Sequence, residues 1–134
     1  PDVCPMAMTT LGAALDARKP GAPPIQPVLI TLDPERDTPA AMAAYVRSTG
    51  FPDGLRGLTT TDLAGLDAIK KRFAVYGVKV PLKDSALGYV IDHSSIFYLM
   101  DAQWKNVAAF SSRLTPEAMA SCIDRGLAAA AKGA

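Results

Sequence analysis

Near the start of the chain, apolar residues recur at helical spacing: Met6, Met8, Leu11 and Leu15. This periodicity predicts a helix over residues 5–17, with Pro5 suited to the first turn because it has no N–H to leave unpaired. The pattern then breaks. Lys19-Pro20-Gly21-Ala22-Pro23-Pro24 reads as a loop, and residues 27–32 form a short β-branched apolar run, the pattern of a strand buried on both faces. Residues 33–39 are polar and proline-bearing. Thr38-Pro39 supplies an N-cap followed by proline at the first helical position, which predicts a helix over residues 40–48, ended by Gly50.

Further along, residues 55–59 predict a short strand. Thr61 or Asp62 caps a helix reaching about Tyr76, with Leu63, Leu66, Ile69, Phe73 and Ala74 on its apolar face and Gly77 as its stop. Val78-Lys79-Val80 reads as extended. Residues 89–91 and 96–100 are strand-like and a few residues apart, so they predict an antiparallel hairpin with its far turn at Asp101-Ala102-Gln103. A further strand is expected over residues 107–110, and Thr115-Pro116-Glu117 opens a last helix reaching about Ala131. Helices alternate with strands in the first half and antiparallel strands follow in the second. The expected class is α/β, a mixed sheet with helices on both faces.

A chain of 134 residues fits one domain, so residues 1–134 are expected to form one. The composition, 49% hydrophobic and 20% charged residues, argues against disorder and against a coiled coil. A formal net charge of +1 gives no general drive toward nucleic acid or an acidic membrane surface, and 7% aromatic residues build no base-stacking surface. No apolar run is long enough to span a bilayer. The sequence opens Pro1-Asp2-Val3-Cys4-Pro5, with no initiator Met and no signal-peptide pattern. It reads as cut, either a processed product or a fragment, with the strand feeding the first helix missing; a targeting segment or membrane anchor could have stood upstream.

In α/β folds ligands bind where strand ends meet helix starts. That places Cys4 where a site is expected. A helix N-terminus favours the thiolate, which is a nucleophile and a soft metal ligand. The plainer reading is a buried, inert cysteine. His93, the single histidine, follows Asp92 in the loop between two predicted strands. It could be a metal ligand or acid–base group held by Asp92, but a surface histidine without a role is the commoner case. Asp33, Glu35 and Asp37 could hold a hard cation; solvated turn and capping residues are the simpler account. Lys70, Lys71, Arg72, Lys79 and Lys83 could dock an acidic partner or be a solvated face. Cys122 reads as packing. Met6 and Met8 could offer thioethers to Cu(I), or belong to the core.

Three motifs occur in order: Pro1-Asp2-Val3-Cys4-Pro5, then Thr31-Leu32-Asp33-Pro34-Glu35-Arg36-Asp37-Thr38-Pro39, then Val90-Ile91-Asp92-His93-Ser94-Ser95-Ile96-Phe97-Tyr98-Leu99-Met100-Asp101. Together they resemble the SCO/SenC family of copper-delivery proteins for cytochrome c oxidase, over nearly the whole chain. The resemblance implies a thioredoxin-like fold lacking its N-terminal strands. It implies copper, Cu(I) or Cu(II), held by a Cys-Pro-x-x-Cys-Pro pair and a distant histidine. Cys4 matches the second cysteine of that pair and His93 the histidine, while the first cysteine would stand immediately before Pro1. The implied work is copper delivery to the dinuclear copper A site of cytochrome c oxidase subunit II. The periplasmic side of the bacterial inner membrane is the implied place, held there by an anchor segment expected upstream, with other periplasmic copper chaperones as further partners. A thiol–disulfide oxidoreductase reducing the oxidase cysteines, or a thiol peroxidase, would use Cys4 as a redox thiol. A fragment without activity of its own is the remaining reading.

Overall fold

The computed structural model describes residues 3–75, 77–81, 86, 89–93 and 95–133, and of residues 3 and 90–93 the backbone. Along the chain run α1 (Val3–Asp16), β1 (Val28–Ile30), α2 (Pro39–Tyr45), β2 (Arg56–Leu58), α3 (Leu63–Arg72), β3 (Gly77–Pro81), β4 (Tyr89–His93), β5 (Ile96–Met100), β6 (Asn106–Ser111) and α4 (Pro116–Lys132). They group into two compact units. One comprises Val28–Ser48 and Leu55–Ser94; the other comprises Asp2–Pro27, Thr49–Gly54 and Ser95–Ala134.

The unit holding α1 and α4 is built on their apolar stripes. Met8 and Ala14 of α1 are buried and Leu11 and Leu15 half-buried, at the predicted spacing, but Met6 is 67% exposed. Thr115 accepts a hydrogen bond from Ala118 N–H and Pro116 stands in the first turn of α4, as the sequence predicts. Met119, Ala120, Ile123 and Gly126 then form one buried stripe. Ala14, Met119, Ala120 and Ile123 make the core, with Leu11, Leu15, Ile25, Phe97, Phe110, Leu114 and Leu127 against it. Arg18 Nε reaches Asp124 Oδ1 at 2.9 Å, fastening the end of α1 to α4. β5 and β6 pair antiparallel with Phe97 opposite Phe110, their ring centroids 5.7 Å apart. A Cβ on Gly126 would stand 2.9 Å from Leu99 Cδ2 and 3.1 Å from Ala108 Cβ, so α4 packs closely on β5 and β6 there.

The other unit opens with a βαβ element. β1 and β2 pair in parallel, Val28 opposite Arg56 through Ile30 opposite Leu58, and α2 makes the crossover. α2 begins as predicted: Thr38 accepts from Ala41 N–H, with Pro39 next. It ends earlier than predicted, at Tyr45, with Val46 as C-cap in the right-handed region. A Cβ on Gly57 would stand 2.8 Å from Val46 Cγ1, so β2 and α2 approach closely there. β1 is not buried on both faces; Val28 is 38% exposed and Leu29 and Ile30 are half-buried. An apolar run records affinity for a core but not how many layers cover it.

α3 is capped by Asp62, which accepts from Gly65 N–H, but it stops at Arg72. Ala74 takes φ 51, Val75 N–H donates to Lys70 O at 2.8 Å and Ala74 N–H to Lys71 O at 3.1 Å. This is a left-handed helix end made by alanine where glycine is usual. Gly77 is therefore not the stop; it starts β3. The predicted hairpin between residues 89–91 and 96–100 is also corrected. β4 pairs antiparallel with β3, Gly77 opposite His93 through Pro81 opposite Tyr89, while β5 pairs with β6. Because β4 runs on to His93, only Ser94-Ser95 separates it from β5, and a two-residue hairpin favours Gly, Asn or Asp in its turn. The parallel and antiparallel pairs with four helices make the α/β class expected, the described strands lying in three two-stranded sheets.

Candidate functional site

Cys4 is the second residue of α1, half-buried in its first turn. It thus stands at a helix start, where the first-turn N–H groups have no partner within the helix itself. It is not joined to Cys122 by a disulfide. Met6 lies two positions on, about 200° around the helix, and so faces away from Cys4. Met8 shares the Cys4 face one turn on but is buried at 5% exposure. Neither methionine is placed to join the thiol.

His93 closes β4, opposite Gly77, at a strand end rather than in the loop the sequence implied. The side chains of His93 and Asp92 lie outside what the structure describes. Cys122 is half-buried on α4 and accepts a hydrogen bond from Arg125 Nη2 at 3.6 Å. Among the described residues no group of three or more His, Cys, Asp or Glu is arranged to hold a metal ion.

In the carboxylate loop after β1 each of the three carboxylates has a protein partner. Asp33, 6% exposed, takes Arg36 Nε at 2.5 Å on Oδ2 and the Tyr89 hydroxyl at 2.8 Å on Oδ1. Its own N–H donates to Thr31 Oγ1 at 2.9 Å, and the Thr31 hydroxyl donates to Asp37 Oδ2. Glu35 pairs with Lys79 at 2.7 Å. Arg36 Nη1 also donates to the Tyr89 carbonyl at 3.0 Å, and Arg36 Cζ lies 3.9 Å from the Tyr89 ring centroid.

The electrostatics follow from these contacts. Burial pushes the Asp33 carboxyl up, but the hydrogen bonds from Arg36 and Tyr89 and the charges of Arg36 and Lys79 outweigh it and hold it below its ordinary value. Burial and the Asp33 carboxylate push the Tyr89 hydroxyl up. The hydrogen bond to Asp33 raises Arg36, and the one to Glu35 raises Lys79.

Of the basic stretch, Lys79 is engaged with Glu35 and Lys70 with Asp67 at 3.3 Å; Lys83 lies outside the described residues. Sequence reasoning missed Arg36 and Tyr89 as a joined pair. Arg36, three residues from Asp33 in a tight loop, carried a local signal. Tyr89, 56 residues away in sequence, carried none.

The sequence matches the SCO1/SenC family over residues 1–128. The chain belongs to that family. It is 36% identical over 132 residues to the mitochondrial SCO2 homolog of Bos taurus, covering 96% of this chain and 48% of the relative. The structure of ScoI from Bradyrhizobium japonicum with copper bound is similar at TM-score 0.75 and 37% identity, covering 93% of this chain and 76% of that one. Copper-bound ScoI from Arabidopsis thaliana is similar at TM-score 0.85 and 28% identity, covering 96% and 78%. The α/β fold is thus the thioredoxin-like fold of SCO proteins. The chain spans about half the length of the curated relatives it matches. No helix of the described residues is long and apolar enough to cross a membrane.

Proposed function

We propose that this chain is a copper-binding metallochaperone that delivers copper to the dinuclear copper A site of cytochrome c oxidase. Cys4 and His93 are its copper ligands from this sequence. The observation that carries the reading is a cysteine in the first turn of α1, in a chain whose relatives include copper-bound SCO proteins. Thiolate sulfur suits Cu(I), and imidazole nitrogen adds a donor that suits Cu(II). Copper is cargo, so its site must release it as well as hold it.

Subunit II of the oxidase is the proposed acceptor, other periplasmic copper chaperones are proposed partners, and the periplasmic side of the inner membrane is the proposed place. We also take residues 1–134 as one domain, as the similarity to ScoI over 93% and 96% of the chain supports. The thiol oxidoreductase and peroxidase readings have no observation of their own in favour.

The donor set is tested by titrating Cu(I) into this chain and into a version with one cysteine added immediately before Pro1. A second thiolate four residues from Cys4 is expected to tighten binding. Equal, tight binding by both versions would refute the two-thiolate site.

A further inference from the structure

β3 and β4 form a two-stranded ribbon, and such a ribbon is marginal alone. On β3 the apolar residues Val78 and Val80 are 46% and 39% exposed. Loop 31–37 ties it down at three points. At one end Gly77 lies on Leu32, where a Cβ would stand 3.0 Å from Leu32 Cδ1. Midway, Lys79 pairs with Glu35, both well exposed, a kind of contact that contributes little. At the other end Tyr89 makes three contacts at once. Its hydroxyl donates to Asp33 Oδ1, its carbonyl accepts from Arg36, and its ring lies under the Arg36 guanidinium. Asp33 is a firm anchor because it is buried and itself bonded to Thr31 and Arg36. Tyr89 and His93 are the two ends of the same five-residue strand.

We propose that Tyr89 is a positioning residue: by fastening β4 to loop 31–37 it orders the strand that carries His93. The role given to His93 rests on the copper reading above; the anchor rests on the hydrogen bonds alone. Metal binding then finds its strand ordered beforehand, and the cost of ordering it is not taken from the copper affinity.

The test compares wild type with Tyr89→Phe and Arg36→Lys by amide hydrogen exchange of the metal-free chain, and by Cu(II) titration. Tyr89→Phe keeps the ring and loses one bond to a buried carboxylate, so exchange in β3 and β4 is expected to quicken about tenfold while α4 is unchanged. Arg36→Lys is expected to act in the same direction, and Lys79→Gln to do less than either. Cu(II) affinity is expected to fall about tenfold, as for other residues that orient a metal ligand. Unchanged exchange in β4, or a uniform rise across all elements, overturns the anchor whatever copper does. Faster exchange in β4 with unchanged Cu(II) affinity overturns the link to His93. His93→Ala separates the two readings: if it leaves Cu(II) affinity unchanged, the copper reading fails and the positioning role with it, while exchange still judges the anchor.

Discussion

Asp33 shows how one residue changes meaning once its neighbours are known. In the sequence it is one of three carboxylates in a polar loop. In the structure it is buried, doubly bonded to Arg36 and Tyr89, and held below its ordinary value. The folded protein therefore binds this proton more weakly than the unfolded chain. Its stabilising contribution is fully present above the unfolded value, near pH 4, and is lost as pH falls through the lowered folded value. Asp33→Asn is expected to cost about 1–3 kcal/mol at pH 7, read from the denaturant midpoint. The gap between Asp33→Asn and wild type should narrow below about pH 4. A gap that stays constant from pH 7 to pH 3 would contradict the ion-pair account. Tyr89 acts at the other extreme: with its hydroxyl raised, its contribution holds below about pH 10 and is lost as pH rises through the raised value.

At the scale of elements, the signals that rest on local chemistry were legible. Thr38-Pro39, Asp62 and Thr115-Pro116 each start a helix where their capping oxygen and proline geometry require. What was not legible depends on contacts distant in sequence. β4 and β5 follow each other with two residues between them, yet β4 pairs back on β3, and no periodicity encodes that choice. The α3 terminus was missed for a different reason: Gly77 looked like the stop, but Ala74 adopts the left-handed conformation itself. That conformation costs a residue with a Cβ about 1–2 kcal/mol. Ala74→Gly is therefore expected to stabilise the protein by about 0.5–1 kcal/mol after the added freedom of glycine in the unfolded chain is subtracted. A lower denaturation midpoint for Ala74→Gly would contradict the helix end described. Trp104, at φ 59 in the β5–β6 turn, is a second non-glycine residue in this region, in a turn where Asp101 Oδ1 accepts from Gln103 and Lys105 N–H.

At the scale of the molecule, class and family were legible because three short motifs keep their order along the chain, although each alone is weak. The structure adds what joins the second motif to the strand of the third: Asp33 and Arg36 from one, Tyr89 at the start of the strand that ends in His93. Chain order could not show this, since the contact spans 56 residues. The claim that governs the rest is that Cys4 and His93 bind copper. Its most direct test is to titrate Cu(I) and Cu(II) into wild type, Cys4→Ala and His93→Ala, following affinity and, for Cu(II), the sulfur-to-copper charge-transfer absorption. Cys4→Ala is expected to weaken both oxidation states and abolish that absorption, and His93→Ala to weaken Cu(II) more than Cu(I). Copper bound equally well by all three chains would contradict the account.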